Sequence, residues 1–425
     1  MDKLSIARKP TQVGATLTLH ETVRRLRSFA LAISLALAPA LSAWAGTLPT
    51  LYSPKPGMEI DAAALAEQGR FAALPARNFS RAAAEAQAAA AKTLALWSQT
   101  VSAGGLSYTY EMVGKNPFVT QAAPTYRIQA YVIPIRLTFA SFGNYVADPA
   151  AADPTCSPAG TAVALTGASP LFNSIHGNIW STSVGTGQYV DLFQRANYST
   201  QTDASGINPN YHTTLTYEPG PEILITVQGG DVIAGACGNI GAMDINSWDT
   251  YIQSTLMPLL AAQSPKIAPP TSLPIFLLYN VVLYNSSVAN CCILGYHSAF
   301  NDPAYAHAFH TYASVEFDTN KSFTGVADIS AMSHEVAEWM DDPPGDNPTP
   351  SWGNIGQVSG CQANLEVGDP LSGTLSEIYM SSNKYTYHVQ DLAFTSWFYG
   401  QEPSTGVNGW YSFLGTFLSP AAACP

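Results

Sequence analysis

The sequence predicts an α+β domain with an N-terminal extension, and three observations carry that expectation. Hydrophobic residues make up 47% of the 425-residue chain and charged residues 11%, against a usual charged share of roughly 25%, so apolar material for a packed core is ample. Runs rich in β-branched and aromatic residues, chiefly Tyr126–Phe139 and the nearly continuous apolar Leu273–Tyr284, have the composition and length of sheet strands. Helical patterns are fewer: an Ala-rich stretch over 59–99, a segment from Asn246 to Gln263, and a compact segment over 328–342 stopped by Pro343-Pro344.

The same composition narrows function. A net charge of −12 leaves no basic surplus to neutralise phosphates, so nucleic acid is not an expected partner. The apolar content excludes a disordered polyelectrolyte, and 32 Gly with 30 Pro fit neither collagen nor a low-complexity chain. No GxxxxGK[ST], GxGxxG or GxSxG element stands out, which removes motif support for nucleotide-binding and α/β-hydrolase readings.

From the N-terminus, Arg24, Arg25 and Arg27 precede the apolar run Phe29–Leu41, and Ala43-Trp44-Ala45 offers a small-x-small cleavage pattern before Gly46. This reads as a signal peptide over 1–45; the run contains Pro39 and is short for a bilayer span. Removing its six basic and two acidic residues leaves 12 basic against 28 acidic, a net charge of −16. The expected product is secreted or periplasmic, without stable membrane insertion. Residues 46–104 read as an Ala-rich helical extension or pro-segment, and 105–425 as one α+β domain.

Within that domain strands are expected over 105–142, Glu222–Val227, Leu273–Tyr284, Gly295–Phe300 and Tyr312–Phe317, and the 246–263 helix is given Asn246 as its cap. The six cysteines all follow residue 45 and suggest up to three disulfides. Adjacent Cys291 and Cys292 are expected to reach different partners, because bridging neighbours strains the backbone. Asn-x-Ser sequons at Asn78, Asn197, Asn285 and Asn320 matter only where the host glycosylates.

Chemistry concentrates in the 328–342 segment. Met332, Val336, Trp339 and Met340 form one apolar stripe of a helix. His334 and Glu338, at i and i+4, lie about 40° apart around the axis, with Glu335 about 100° from His334. This is the geometry of an HExxH zinc helix with glutamate in place of the second histidine; the i and i+4 residues would bind metal and Glu335 would hold and deprotonate water. With 8 His and 13 Glu in the chain, random placement yields roughly 0.007 such matches. The alternative is a solvated polar face.

Local charge weighs for the metal. From Ser322 to Pro425 there are eleven acids and one basic residue, Lys384. Glu338, Asp341 and Asp342 crowd the helix C-terminus, where the helix dipole disfavours anions. A divalent ion would compensate them, or a distant Arg127 or Arg136 could fold back. The third ligand is sought in Glu366-Val-Gly-Asp369, with Glu366 the first choice and Asp369 the second, and the one that does not bind could orient His334. His388, near Asp391, is a candidate oxyanion donor. Such an oxygen-rich set suits Zn2+, and Mn2+ or Ca2+ as well.

Ser333-His-Glu-Val-Ala-Glu-Trp-Met-Asp-Asp-Pro343, followed by Trp352 and Glu366-Val-Gly-Asp369, resembles the plant Exordium/phosphate-induced family and its exported bacterial relatives. Tyr387–Trp397 and Asn408–Tyr411 resemble uncharacterised bacterial exported proteins. The resemblance covers about 320–412. It implies a zincin-like fold, a mixed sheet with an active-site helix and a downstream ligand-bearing loop, with His334, Glu338 and Glu366 or Asp369 as ligands and Glu335 as base. The resulting expectation is an exported metal-dependent hydrolase, a peptidase acting on peptide or protein. The alternative is a non-catalytic binding protein with a structural cation; a third reading is a carbohydrate-binding module.

Overall fold

The computed structural model describes residues 48–53, 70–71, 93–179, 182–286 and 291–424. The expected signal peptide and most of the Ala-rich stretch lie outside them. The end of that stretch, from Leu96, is strand and not helix.

In chain order the first strands are β1 (Leu51–Ser53), β2 (Leu96–Ala103), β3 (Leu106–Val113) and β4 (Thr125–Phe139). Helix α1 (Tyr189–Asn197) precedes β5 (His212–Pro219), β6 (Ile223–Gly229), β7 (Asp231–Ala234) and β8 (Asn239–Asp244). Helix α2 starts as Ile245–Tyr251 and continues through a wider turn, Ile252–Leu256, into Met257–Ala261. Then come β9 (Leu273–Tyr279), β10 (Val281–Tyr284), β11 (Cys291–Asp302), β12 (Ala308–Phe317) and helix α3 (Ser330–Asp341). Two hairpins follow, β13 (Pro348–Ile355) with β14 (Val358–Asn364), and β15 (Leu375–Met380) with β16 (Tyr385–Gln390).

These elements make a mixed α/β fold with few helices on one large sheet of 12 strands, whose main order is β1-β6-β4-β9-β12-β11-β10-β8-β7. Neighbours from β1 to β12 are parallel. The β12/β11 and β11/β10 pairs are antiparallel. Central strands β9 and β12 are buried along their whole length, which accounts for the apolar run of β9; β12 also carries His310, Ser314 and Glu316 into the interior. The single strand expected over Leu273–Tyr284 is two, divided at Asn280, whose φ is 49°. Asn tolerates this left-handed conformation, and Asn280 is fixed there by accepting the Thr319 N–H at 2.9 Å. The break moves the chain from a place between β4 and β12 to one between β8 and β11.

Alternation along the strands sorts two layers. Tyr296, Tyr312 and Glu316 face α2, where the Trp248 indole donates to Ser314 at 2.8 Å. Gly295, His297, Ala299, Thr311, Ala313 and Val315 face α3, where the Trp339 indole donates to Thr311 at 2.9 Å. The cap of α2 is Asp244 and not Asn246: its carboxylate accepts the Ser247 N–H at 2.9 Å, three residues into the turn. Hairpin β2/β3 spans the boundary expected at 104/105, with the turn at Gly104-Gly105.

Three disulfides form, Cys156–Cys237, Cys361–Cys424 and Cys291–Cys292. The last corrects the expectation that the adjacent pair reaches different partners. The other four cysteines are already paired, and Cys291 and Cys292 lie in a buried cluster with Ile240, Val282 and Leu294, their Cα atoms 3.0 Å apart across a cis peptide. No described helix is long and apolar enough to cross a membrane.

Glu316 is the costly residue of the α2 layer. It is buried, and neither carboxylate oxygen has a hydrogen-bond partner among the described residues. Burial, aided by Asp318, holds its carboxyl well above the usual range, and burial pushes Asp318 up to about 6. A carboxyl raised in the folded state contributes stability that is present below its unfolded pKa and lost as pH rises through the folded one. Glu316→Gln is therefore expected to unfold at similar urea concentration to the wild type near about pH 4, and to be the more stable by over ~1.4 kcal/mol, the worth of one pKa unit, near about pH 8.

Candidate metal centre

Helix α3 is buried on every side; all residues from Ser330 to Asp341 are enclosed, so the solvated polar face does not exist. Its apolar stripe packs into the main core, and its polar stripe meets β11 from the sheet and the segment that leaves β14. That segment alternates: Leu365 and Val367 enter the core while Glu366, between them, points the other way, to the helix.

Five residues singled out in the sequence converge here. His334 Nε2 lies 2.9 Å from Glu338 Oε2 and 3.6 Å from Asp369 Oδ1. Glu366 approaches Glu338, so both downstream acids reach the site, and Glu335 stands beside them. The sixth member, His297 on β11, comes from outside the motif. Its Nδ1 is 3.2 Å from Glu335 Oε2 and 4.0 Å from Glu338 Oε2, and its Nε2 is 3.0 Å from the Asp342 carbonyl. The signal that could have found it is the inward face of a central strand reading Gly295, His297, Ala299, a histidine between two small residues.

Two glycines make the fit close. A Cβ on Gly368 would lie 2.7 Å from His334 Cγ, and one on Gly295 would lie 2.8 Å from Glu335 Cγ, both inside contact distance. Gly368 also donates its N–H to Glu338 Oε1 at 3.0 Å. Gln390 joins the pieces: its backbone N–H donates to Ser333 Oγ at 3.1 Å and its side chain to the Gly368 carbonyl at 2.7 Å. Nothing in the sequence marks Gln390 out, although it lies between His388 and Asp391.

Neutral donors satisfy much of the acidity attributed above to a cation. Asp342 accepts the N–H groups of Asp346 and Asn347 at 3.0 and 2.9 Å. Asp341 accepts from the amides of Gln194 and Asn197. Asp369 accepts from Gln357 and Gln362, and Glu366 Oε1 from Asn364 at 2.6 Å. Arg136 pairs with Asp148 at 3.6 Å, and Arg127 is exposed, so neither folds back. Among the described residues no lysine or arginine lies within ion-pair distance of Glu335, Glu338, Glu366 or Asp369.

The remaining imbalance falls on protons. Burial pushes Glu335 up to about 8. Burial, with repulsion from Glu338, Asp342 and Asp369, holds Glu366 well above the usual carboxylate range, and burial raises Glu338 against the pull of His334. Burial works to lower His334, but Glu338 and Asp369 outweigh it and carry the ring well above its ordinary value. Burial lowers His297.

His388 stands apart from this group. Its ring Nδ1 is 2.7 Å from Asp328, which also accepts its backbone N–H, and its Nε2 faces Glu377 at 3.9 Å. Asp391 is held by Thr416 and the N–H groups of Leu392 and Leu414, not by His388.

The donor set fits a divalent ion. Ligand atoms about 2.0–2.1 Å from zinc at the tetrahedral angle lie roughly 3.3 Å apart, and the separations of 2.9 and 3.6 Å around His334 Nε2 bracket that value. Two fully enclosed carboxylate oxygens, Glu335 Oε1 and Glu366 Oε2, have no hydrogen-bond partner among the described residues, a cost that a cation would remove. No family model matches the chain, and neither does any curated protein or solved structure.

The close approach at Gly368 gives a direct check. Gly368→Ala forces a methyl group against the His334 ring and should cost about 1–3 kcal/mol in urea unfolding, the usual penalty of overpacking a rigid interior. Unchanged stability would mean that the loop and helix are not seated against one another.

Proposed function

We propose that the protein is an exported, zincin-like metal-dependent hydrolase, with a peptide or protein as its substrate. The observation that carries this reading is Glu335 Oε1, an enclosed carboxylate oxygen without a partner among the described residues, beside an imidazole and carboxylates at metal-ligand spacing. The likeness of Ser333–Pro343 and Glu366–Asp369 to the Exordium/phosphate-induced pattern supports the same assignment, and the three disulfides suit an oxidising compartment.

His334, Glu338 and Asp369 would hold the ion. When bound, it supplies Lewis acidity and lowers the pKa of water. Zinc suits imidazole with carboxylate, and manganese accepts the same donors; calcium, an all-oxygen ion by preference, suits them less. Glu335 takes the proton of the attacking water and returns it to the leaving group, with its Oε2 3.2 Å from His297 Nδ1. Gly368 and Gln390 hold the ligand loop against the helix.

One observation favours a second reading. Every side chain of the centre is less than a tenth exposed, and a sealed ion is a structural one. The two readings part on Glu335→Gln. In a hydrolase the variant keeps its metal and loses about 10²–10⁴-fold in the rate of casein hydrolysis. In a structural site no hydrolysis is found in either protein, while removing the ion with a chelator lowers the melting temperature.

Metal affinity should also depend on pH in a fixed sense. His334 and Glu366 hold protons at higher pH than usual when no cation is near, and the ion must displace them. The apparent affinity for Zn2+, read by competition with a chromophoric chelator, is expected to rise between about pH 6 and about pH 8, with proton release on binding.

A further inference from the structure

We propose that the centre holds two divalent ions and not one, with Glu338 as the carboxylate shared between them. The inference rests on the metal reading above and extends it. Two triads of ligand atoms occur, each gathered within 4.8 Å: His334, Glu338 and Asp369 form the first, and His297, Glu338 and Glu366 the second.

Three features separate the second triad from a mere support for the first. Glu338 Oε1 is already engaged by the Gly368 N–H, whereas Oε2 looks at both imidazoles, 2.9 Å from His334 Nε2 and 4.0 Å from His297 Nδ1. A single carboxylate oxygen placed between two ring nitrogens is the arrangement of a bridging ligand.

His297 is also oriented as a ligand. The Asp342 carbonyl, 3.0 Å from Nε2, can only accept, so that nitrogen carries the ring's hydrogen and donates it. A neutral ring in this tautomer turns the lone pair of Nδ1 toward Glu335 and Glu338, both acceptors when ionised. A backbone carbonyl fixing the far nitrogen is how metal-binding histidines are commonly held. A proton shared with Glu335 could satisfy Nδ1, but it would do nothing for Glu366.

Glu366 supplies the independent observation. Its Oε1 takes the Asn364 amide and its Oε2 is fully enclosed with no partner among the described residues, while a carboxylate oxygen of this residue lies within 4.8 Å of ligand atoms of His297 and Glu338. The first ion accounts for Asp369 and leaves this oxygen without an acceptor's counterpart; a second ion accounts for it.

The purified chain, stripped with chelator and dialysed against Zn2+, should hold two ions by elemental analysis. His297→Ala and Glu366→Gln should each hold one, and Glu338→Gln should weaken both. Loading with Mn2+ provides a readout that needs no variant: a shared carboxylate oxygen gives the exchange-coupled signal of a manganese pair in electron paramagnetic resonance. One ion in the wild type would overturn the second site and leave the hydrolase reading standing, and no ion would remove both. Two ions that persist in His297→Ala, or two Mn2+ giving only isolated-ion spectra, would place the second ion elsewhere and overturn the proposal.

Discussion

Glu338 lies between two imidazoles in an interior that excludes bulk water, and most of the architecture around it follows from that position. Charges separated by 3–4 Å interact far more strongly in a protein interior than in solvent, so each group near Glu338 must be placed, neutralised or protonated. Helix α3 cannot sit on the surface and still present His334 and Glu338 to a partner strand; it is sunk between the sheet and the downstream hairpins. The sheet yields room through Gly295 and Ala299 on the strand that brings His297, and the loop yields it through Gly368.

Outward from that core, anionic charge is spread over neutral donors. Asp341, Asp342, Asp369 and one oxygen of Glu366 each meet amides, from Gln194, from the backbone after Pro344, from Gln357 and Gln362, and from Asn364. An amide disperses a carboxylate's charge without carrying one itself. The dispersal stops at Glu335 Oε1 and Glu366 Oε2. The same chain therefore contains both solutions to a buried acid, side by side, and the boundary between them outlines the candidate site.

The strand over Leu273–Tyr279 was legible because residues buried on both faces leave an apolar run, and that over Ile223–Val227 because buried residues alternate with exposed ones. The α3 helix was legible from its proline stop and its apolar period. The i, i+4 relation of His334 to Glu338 needs only helix geometry, and the acids at 366 and 369 stood out by charge alone. What could not be read were contacts set by register across the sheet. His297 meets Glu335 because β11 runs antiparallel to β12 in one register, and a slip of one residue would turn it to the α2 side. The strand break at Asn280 and the Cys291–Cys292 bridge likewise depend on which neighbours are absent or already taken. In the sequence the acidic surplus near α3 points to a cation; in the fold amides meet a good part of it, and amides carry no charge to count.

The Cys361–Cys424 bridge ties β14 to a segment 63 residues on, and the Cys424 N–H donates to the Ser351 carbonyl on the partner strand at 3.1 Å. Gln362 and Asn364, which steady Asp369 and Glu366, lie one and three residues beyond that link. The acidic half of the centre is thus clasped by a segment 63 residues downstream, through a bond that needs oxidation to form. Maturation of the ligand loop is tied in this way to the redox state of its surroundings.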